Sequence, residues 1–185
     1  VFVCAGVDVR NNTNKAILNL VRRLDRNGAI IGAICTGTYV MAAAGLLDGR
    51  RCTIHWENID GLAEEFQDLD ITTDLFEIDG NRVTCSGGTA SLDMMLNLIS
   101  HSHGAQLAAE ISDQFIHDRI REPTDRQRME LRSRIGVSHP KLLAVVKTME
   151  ENLEEPLLQT SIASETGLST RQLERLFRKY LNTTP

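Results

Sequence analysis

The spacing of hydrophobic positions changes several times along the chain, and each change marks an element. Val1 to Ala5 is an apolar run ending at Gly6, the pattern of a buried strand. Ile17, Leu20, Val21 and Leu24 then recur at helical spacing between Asn14 and Asp25, and Asn27-Gly28 closes that helix. Ala29 to Cys35 is apolar again and runs at once into Thr36-Gly37-Thr38 and a predicted helix through Leu47. Cys52 to Ile54 reads as a short strand. Ile71 to Ile78 and Arg82 to Cys85, joined by Asp79-Gly80-Asn81, read as a β-hairpin. Two amphipathic helices follow, one marked by Leu92, Met95, Leu96 and Ile99, the next by Leu107, Ala108, Ile111 and Phe115.

Strand–helix alternation of this kind predicts an α/β layered sheet. The elements amount to about half of a doubly wound domain. Residues 1–120 are therefore expected to be the C-terminal part of such a domain, and the opening Val-Phe-Val-Cys suggests a missing upstream portion. Residues 121–138 are arginine-rich, apolar-poor and interrupted by Pro123 and Gly136, so they read as a linker. Residues 139–185 carry only helical spacing and predict a small all-α domain. In it Leu142, Leu143, Val145, Val146, Met149 and Leu153 form one broad apolar face. Glu154-Glu155-Pro156 is expected to stop that helix, and Thr160 or Ser161 to cap the next.

With 42% hydrophobic and 24% charged residues the composition is that of an ordinary globular protein. No apolar run approaches the ~18 residues of a membrane span, and no signal-peptide pattern is present. Cys4, Cys35, Cys52 and Cys85 lie in or beside apolar stretches without a CxxC pair. That argues against a zinc site or a disulfide framework and predicts reduced, mostly buried thiols of a cytoplasmic protein. His101 and His103 alone do not make a metal site, so no metal and no cofactor is assigned. The net charge of −5 is unfavourable for a nucleic-acid binder, but the last eighteen or so residues differ locally. There Arg171, Arg175, Arg178 and Lys179 meet the single carboxylate of Glu174.

Those cations sit in the densest constellation of the chain. Ala163, Gly167, Leu173 and Leu176 have the spacing of a helix-turn-helix: a small residue where helices cross, a glycine in the turn, and leucines packing the second helix onto the first. Ser169 is placed to cap the second helix. Leu173, Leu176, Phe177 and Tyr180 would face inward, and Arg171, Glu174 and Arg175 outward. Arginines near such a helix start suit guanine edges in the major groove, while Ser169, Thr170, Arg178 and Lys179 suit the phosphate backbone. A helical hairpin with a solvated charged face has the same spacing. Ile162-Ala163, Gly167-Leu168-Ser169, the run Arg171 to Lys179 and the closing Thr184-Pro185 resemble the first helix-turn-helix of AraC-type regulators. The resemblance implies a second unit beyond Pro185, duplex DNA as partner, a homodimer, and RNA polymerase as a further partner where the protein activates.

A second constellation is Ala33-Ile34-Cys35-Thr36-Gly37, where an apolar strand turns into a helix. A thiol at a helix N-terminus is the construction of a nucleophile elbow. His55 is the nearest general-base candidate, so a cysteine-dependent hydrolase or amidotransferase-like enzyme stands as one alternative, and a protein-interaction module as another. Residues 1–120 resemble the C-terminal part of the PfpI-like, class I glutamine amidotransferase-like fold. The resemblance is carried by Cys35-Thr36-Gly37, Ala44 to Gly49, Thr53-Ile54-His55-Trp56 and Thr84-Cys85-Ser86-Gly87-Gly88 with Asp93. In catalytic members histidine often follows the elbow cysteine; Thr36 stands there instead. The resemblance to regulators that fuse this fold to an AraC-type reader implies a vestigial elbow at Cys35 and His55, and no enzyme activity. It implies a small effector, an amino acid or quaternary amine, bound by Cys35, Thr36, Gly37, His55, Trp56 and Thr89. For such a ligand Trp56 offers a cation–π face.

Overall fold

The computed structural model describes residues 1–154 and 157–185 and divides into two compact units, residues 1–128 and 129–185. Unit 1 begins with strand β1 (Phe2–Ala5), a short helix α1 (Val9–Asn12) and helix α2 (Lys15–Arg26). Asn14 starts α2 by accepting the Ala16 and Ile17 N–H groups on its Oδ1, which satisfies two donors that a helix start leaves free. Strand β2 (Ile31–Cys35) leads into helix α3 (Gly37–Ala43), then β3 (Arg51–Thr53), a 3₁₀ turn (Trp56–Asn58), α4 (Ile59–Glu65) and β4 (Asp70–Thr72). Strands β5 (Phe76–Asp79) and β6 (Arg82–Cys85) precede helices α5 (Ala90–His103) and α6 (Ala105–Gln114).

The main sheet has the order β1-β2-β6-β5, with β1, β2 and β6 parallel and β5 antiparallel; β3 and β4 form a separate parallel pair. Helices lie between parallel strands, as an α/β fold requires. One core cluster joins Val21, Ile31, Ala33, Met41 and Leu47 to Ile54 and Leu62, and a second joins Leu75, Phe76, Val83 and Cys85 to Ala90 and Met94. Among the described residues, no helix is long and apolar enough to cross a membrane.

Several expectations change in three dimensions. The expected 71–78 strand is two strands, because Thr53 interrupts it: its hydroxyl donates to the carbonyls of Thr72 and Asp74. Only Phe76 to Asp79 forms the hairpin with β6, closed by Gly80-Asn81. Helix α3 stops at Ala43, where the Leu46 N–H bonds back to the Met41 carbonyl, and Leu46 and Leu47 enter the core from the turns beyond it. On α2, Val21 is buried and Leu18 and Leu24 pack beside it, while Ile17 and Leu20 remain exposed. On α5 the buried face is Ala90, Asp93, Met94 and Leu96, and Met95 faces out. On α6, Leu107 and Phe115 are exposed and Ala108 and Ser112 are buried.

Unit 2 holds helices α7 (Leu131–Ile135), α8 (Pro140–Glu151), α9 (Gln159–Glu165) and α10 (Thr170–Leu181). Its core is Val137, Leu142, Val145, Ile162, Ala163, Leu173 and Phe177. Helix α8 ends at Glu151, so Leu153 lies beyond it and is 83% exposed. Of the expected stop, Glu155 and Pro156 lie outside the described residues. Thr160 and Ser161 fall inside α9, whose N-cap position is Leu158 and carries no side-chain cap. Residues 121–128, read above as the start of a linker, are hydrogen-bonded into unit 1.

Candidate functional sites

Cys35 ends β2 with φ at +58°, a left-handed conformation that a residue with a side chain adopts only when its surroundings impose it. The surroundings are tight. A Cβ on Gly37 would stand 2.1 Å from the Val3 carbonyl oxygen, and a Cβ on Gly87 would stand 2.7 Å from that of Cys35. Both glycines are therefore required for the elbow to sit between β1 and the end of β6. The Thr36 hydroxyl donates to the Gly6 carbonyl at 2.6 Å, which ties the elbow to the loop after β1. The hydroxyl is thus engaged within the chain.

His55 follows β3 and is half-buried. Its Nδ1 accepts the Glu57 N–H at 3.4 Å and lies 3.8 Å from a Glu57 carboxylate oxygen. Among the described residues no hydrogen bond joins His55 to Cys35. Trp56 packs tilted against the His55 ring with centroids 5.6 Å apart, and the Arg128 guanidinium covers the indole at 4.1 Å.

Thr89, at the N-cap of α5, accepts from Arg121 Nη2 at 2.7 Å. That guanidinium also grips Asp93, through Nε at 2.8 Å and Nη2 at 2.6 Å, while the Arg121 backbone N–H and His117 Nε2 each donate to Asp93 Oδ1 at 2.8 Å. Burial, the strongest single influence, pushes the Asp93 carboxyl upward. The Arg121 N–H, the His117 and Arg121 side-chain bonds and the Arg121 charge together outweigh it and hold the group below the ordinary carboxylate range. Sequence reasoning placed Asp93 only as a match to the fold. Its partners His117 and Arg121 lie 24 and 28 residues on, and no spacing rule connects them.

The helix pair of unit 2 is built from local rules. The N–H groups of Gly167 and Leu168 return to the carbonyls of Ser164 and Ala163, the double closure that ends a helix when the residue after the cap is left-handed; Gly167 has φ +62°. Ser169 Oγ accepts the Gln172 N–H while Gln172 Oε1 accepts the Ser169 N–H, a reciprocal capping box at the start of α10. Leu173 and Phe177 are buried with Ile162 and Ala163. Arg171, Glu174, Arg175 and Arg178 line one surface depression with Ser169 and Gln172. Thr170 is the first residue of α10, and Lys179 lies 5.0 Å from the Tyr180 ring. Tyr180, expected inside, is exposed and lies tilted against the His139 ring, with centroids 5.5 Å apart.

A model of the DJ-1/PfpI family matches residues 3–101, more than half of the chain. The chain belongs to the DJ-1/PfpI family. A DJ-1 superfamily structure from Salmonella typhimurium shares its fold, with a TM-score of 0.55, 24% identity, and 64% of each chain covered. The HTH-type transcriptional regulator CdhR of Pseudomonas aeruginosa is 49% identical across the whole chain, which covers 55% of CdhR. The HTH-type transcriptional regulator GbdR of the same species is 45% identical across the whole chain, which covers 50% of GbdR. The chain thus spans about half the length of the curated relatives it matches.

Within this DJ-1/PfpI unit, several of the residues expected around an effector have partners inside the chain. Thr36 and Thr89 have their hydroxyls engaged by Gly6 and Arg121, Gly37 is buried against β1, and Trp56 is covered by Arg128. Arg121, Gln127 and Arg128 are the residues that sequence reasoning missed. Gln127 Nε2 lies within hydrogen-bond reach of the Thr53 hydroxyl and of the Ile54 and Asp74 carbonyls. Among the described residues, no group of three or more His, Cys, Asp or Glu stands together as a metal cluster.

Proposed function

We propose that this chain is the sensory unit and first DNA-reading helix pair of a transcription regulator responding to a small effector. The observation that carries the reading is α10. Its guanidinium groups at 171, 175 and 178 share one exposed depression, while Leu173 and Phe177 anchor the opposite side in the core. Such a helix presents charge to a groove without unfolding anything. Arg171 and Arg175 near its start reach base edges, with Ser169, Thr170, Arg178 and Lys179 on phosphates and Glu174 at the rim. The names of CdhR and GbdR support the same reading. Duplex DNA is then the partner, a second copy supplies the other half-site, and RNA polymerase is contacted where transcription is activated. An organism's cytoplasm is where such a protein works.

The effector, an amino acid or quaternary amine, is taken up around Cys35, Thr36, Gly37, His55, Trp56 and Thr89. It acts by binding one arrangement of the full-length protein better than another. Arg175→Ala in the full-length regulator is expected to weaken binding to its operator by about 1–3 kcal/mol. A gel-shift titration at fixed salt measures this, and an unchanged affinity removes α10 from the DNA interface.

A cysteine hydrolase is favoured by the strained conformation of Cys35 alone. Against it stand Thr36 in place of a neighbouring histidine and the engagement of His55 with Glu57. An alkylation rate for Cys35 titrating well below the free-thiol value of about 8.5 would revive it.

A further inference from the structure

Trp56 is 37% exposed, and a cation of the same chain, Arg128, lies over its ring. Arg128 reaches it because the preceding segment is fastened down. Arg121 is held by Asp93 and Thr89, the Leu75 N–H bonds the Pro123 carbonyl, Asp74 bridges Arg126, and Gln127 is tied to Thr53, Ile54 and Asp74. Arg128 itself makes no ion pair or side-chain hydrogen bond among the described residues; its guanidinium lies on the indole face. A ring held beside His55 and Glu57, with a guanidinium already on it, is a cation-selective surface in use.

We propose that Arg128 is the built-in occupant of an organic-cation site on Trp56, and that a ligand bearing an alkylated ammonium group binds by displacing it. The inference rests on the effector reading above and deepens it, naming the ligand's reactive feature and the first residue to move. Ammonium carrying methyl groups suits the site because it keeps its charge while needing no hydrogen-bond acceptor, which an indole face does not supply. Arg128 is the last residue of unit 1 and Met129 the first of unit 2. Displacement therefore releases the residue at the junction, while the Gln127 and Arg121 attachments hold the rest of the segment.

A competitor inside the chain lowers apparent affinity by the fraction of molecules whose ring is covered. Arg128→Met removes the charge, so tetramethylammonium should bind that variant about threefold more tightly than wild type, the scale of one exposed cation–π contact. Arg128→Lys keeps a cation and should stay close to wild type. Trp56→Leu should lose binding.

Trp56 is the single tryptophan of the sequence, so its fluorescence reports this face in the full chain. Titration with tetramethylammonium chloride, against sodium chloride at equal ionic strength, gives the affinities. Calorimetry covers the Trp56→Leu variant. Equal affinities for wild type and Arg128→Met overturn the displacement while leaving effector sensing intact. Absence of binding in both overturns the cation site itself. The Arg175 gel shift reads α10 separately, so a failure of the regulator reading registers there and not here.

Discussion

The four thiols of the chain differ in burial. Cys52 is pushed up to about 12, first by burial and then by the Asp70 and Glu77 charges. Cys85 is also raised, by burial above all, although the Gly87 N–H bonding its sulfur offsets part of this. Cys35 is half-buried and Cys4 exposed. Since the thiolate is the nucleophile, iodoacetamide at pH 8 should modify Cys4 and Cys35 in the native protein and spare Cys52 and Cys85 until denaturant is added. Peptide mass spectrometry reads the pattern, and native labelling of Cys52 as fast as Cys4 contradicts it. The sequence placed all four in apolar stretches. Cys4 departs from burial because it shares the exposed face of β1 with Phe2, while Val3 and Ala5 on the other face are half-buried.

Among the elements, α10 is the one whose start is most fully specified by its own residues. Ser169, Gln172 and Gly167 lie within six positions, and each acts on backbone groups of the same stretch. Ser169→Ala should remove the capping box and cost about 1 kcal/mol. A lowered urea midpoint for the unit 2 transition, followed by helical circular dichroism, is the expected result; an unshifted midpoint means the cap contributes nothing. The cap and its turn were legible from sequence for this local reason. Helix α5 was not. Apolar periodicity favoured Met95, yet the buried face turns to carry Asp93, whose charge is tolerated inside only because Arg121 and His117 arrive to pair it.

At the scale of the whole chain, that buried cluster fastens residues 117–121 onto α5 and sets how unit 1 responds to acid. The folded carboxyl of Asp93 lies below its unfolded value of about 3.9. Its contribution to stability is therefore present in full above that value and is lost as pH falls through the lower, folded one. Asp93→Asn should flatten the acid limb of unit 1 stability below about pH 4. Arg121→Ala, which strands a buried carboxylate, should cost about 3 kcal/mol at pH 7. Urea unfolding followed by Trp56 fluorescence at pH 7 and pH 3 tests both, and an Asp93→Asn profile that falls with acid as steeply as wild type refutes the assignment.

The amino-acid order by itself determined the α/β class, the strand-to-helix elbow at Cys35, the Gly80 hairpin and the α9–α10 turn. Each depends on backbone hydrogen bonds and steric limits acting across a few residues, and those are written in neighbouring side chains. Only the tertiary structure decided that Asp93 is paired, that Thr36 donates to Gly6 and Thr89 accepts from Arg121, and that Arg128 lies on Trp56. These contacts join residues between 24 and 72 positions apart, as His117 with Asp93 and Arg128 with Trp56 do. A charged side chain carries no signal naming which distant opposite charge or ring will reach it. That choice is made when the strands align and bring loop and sheet end together.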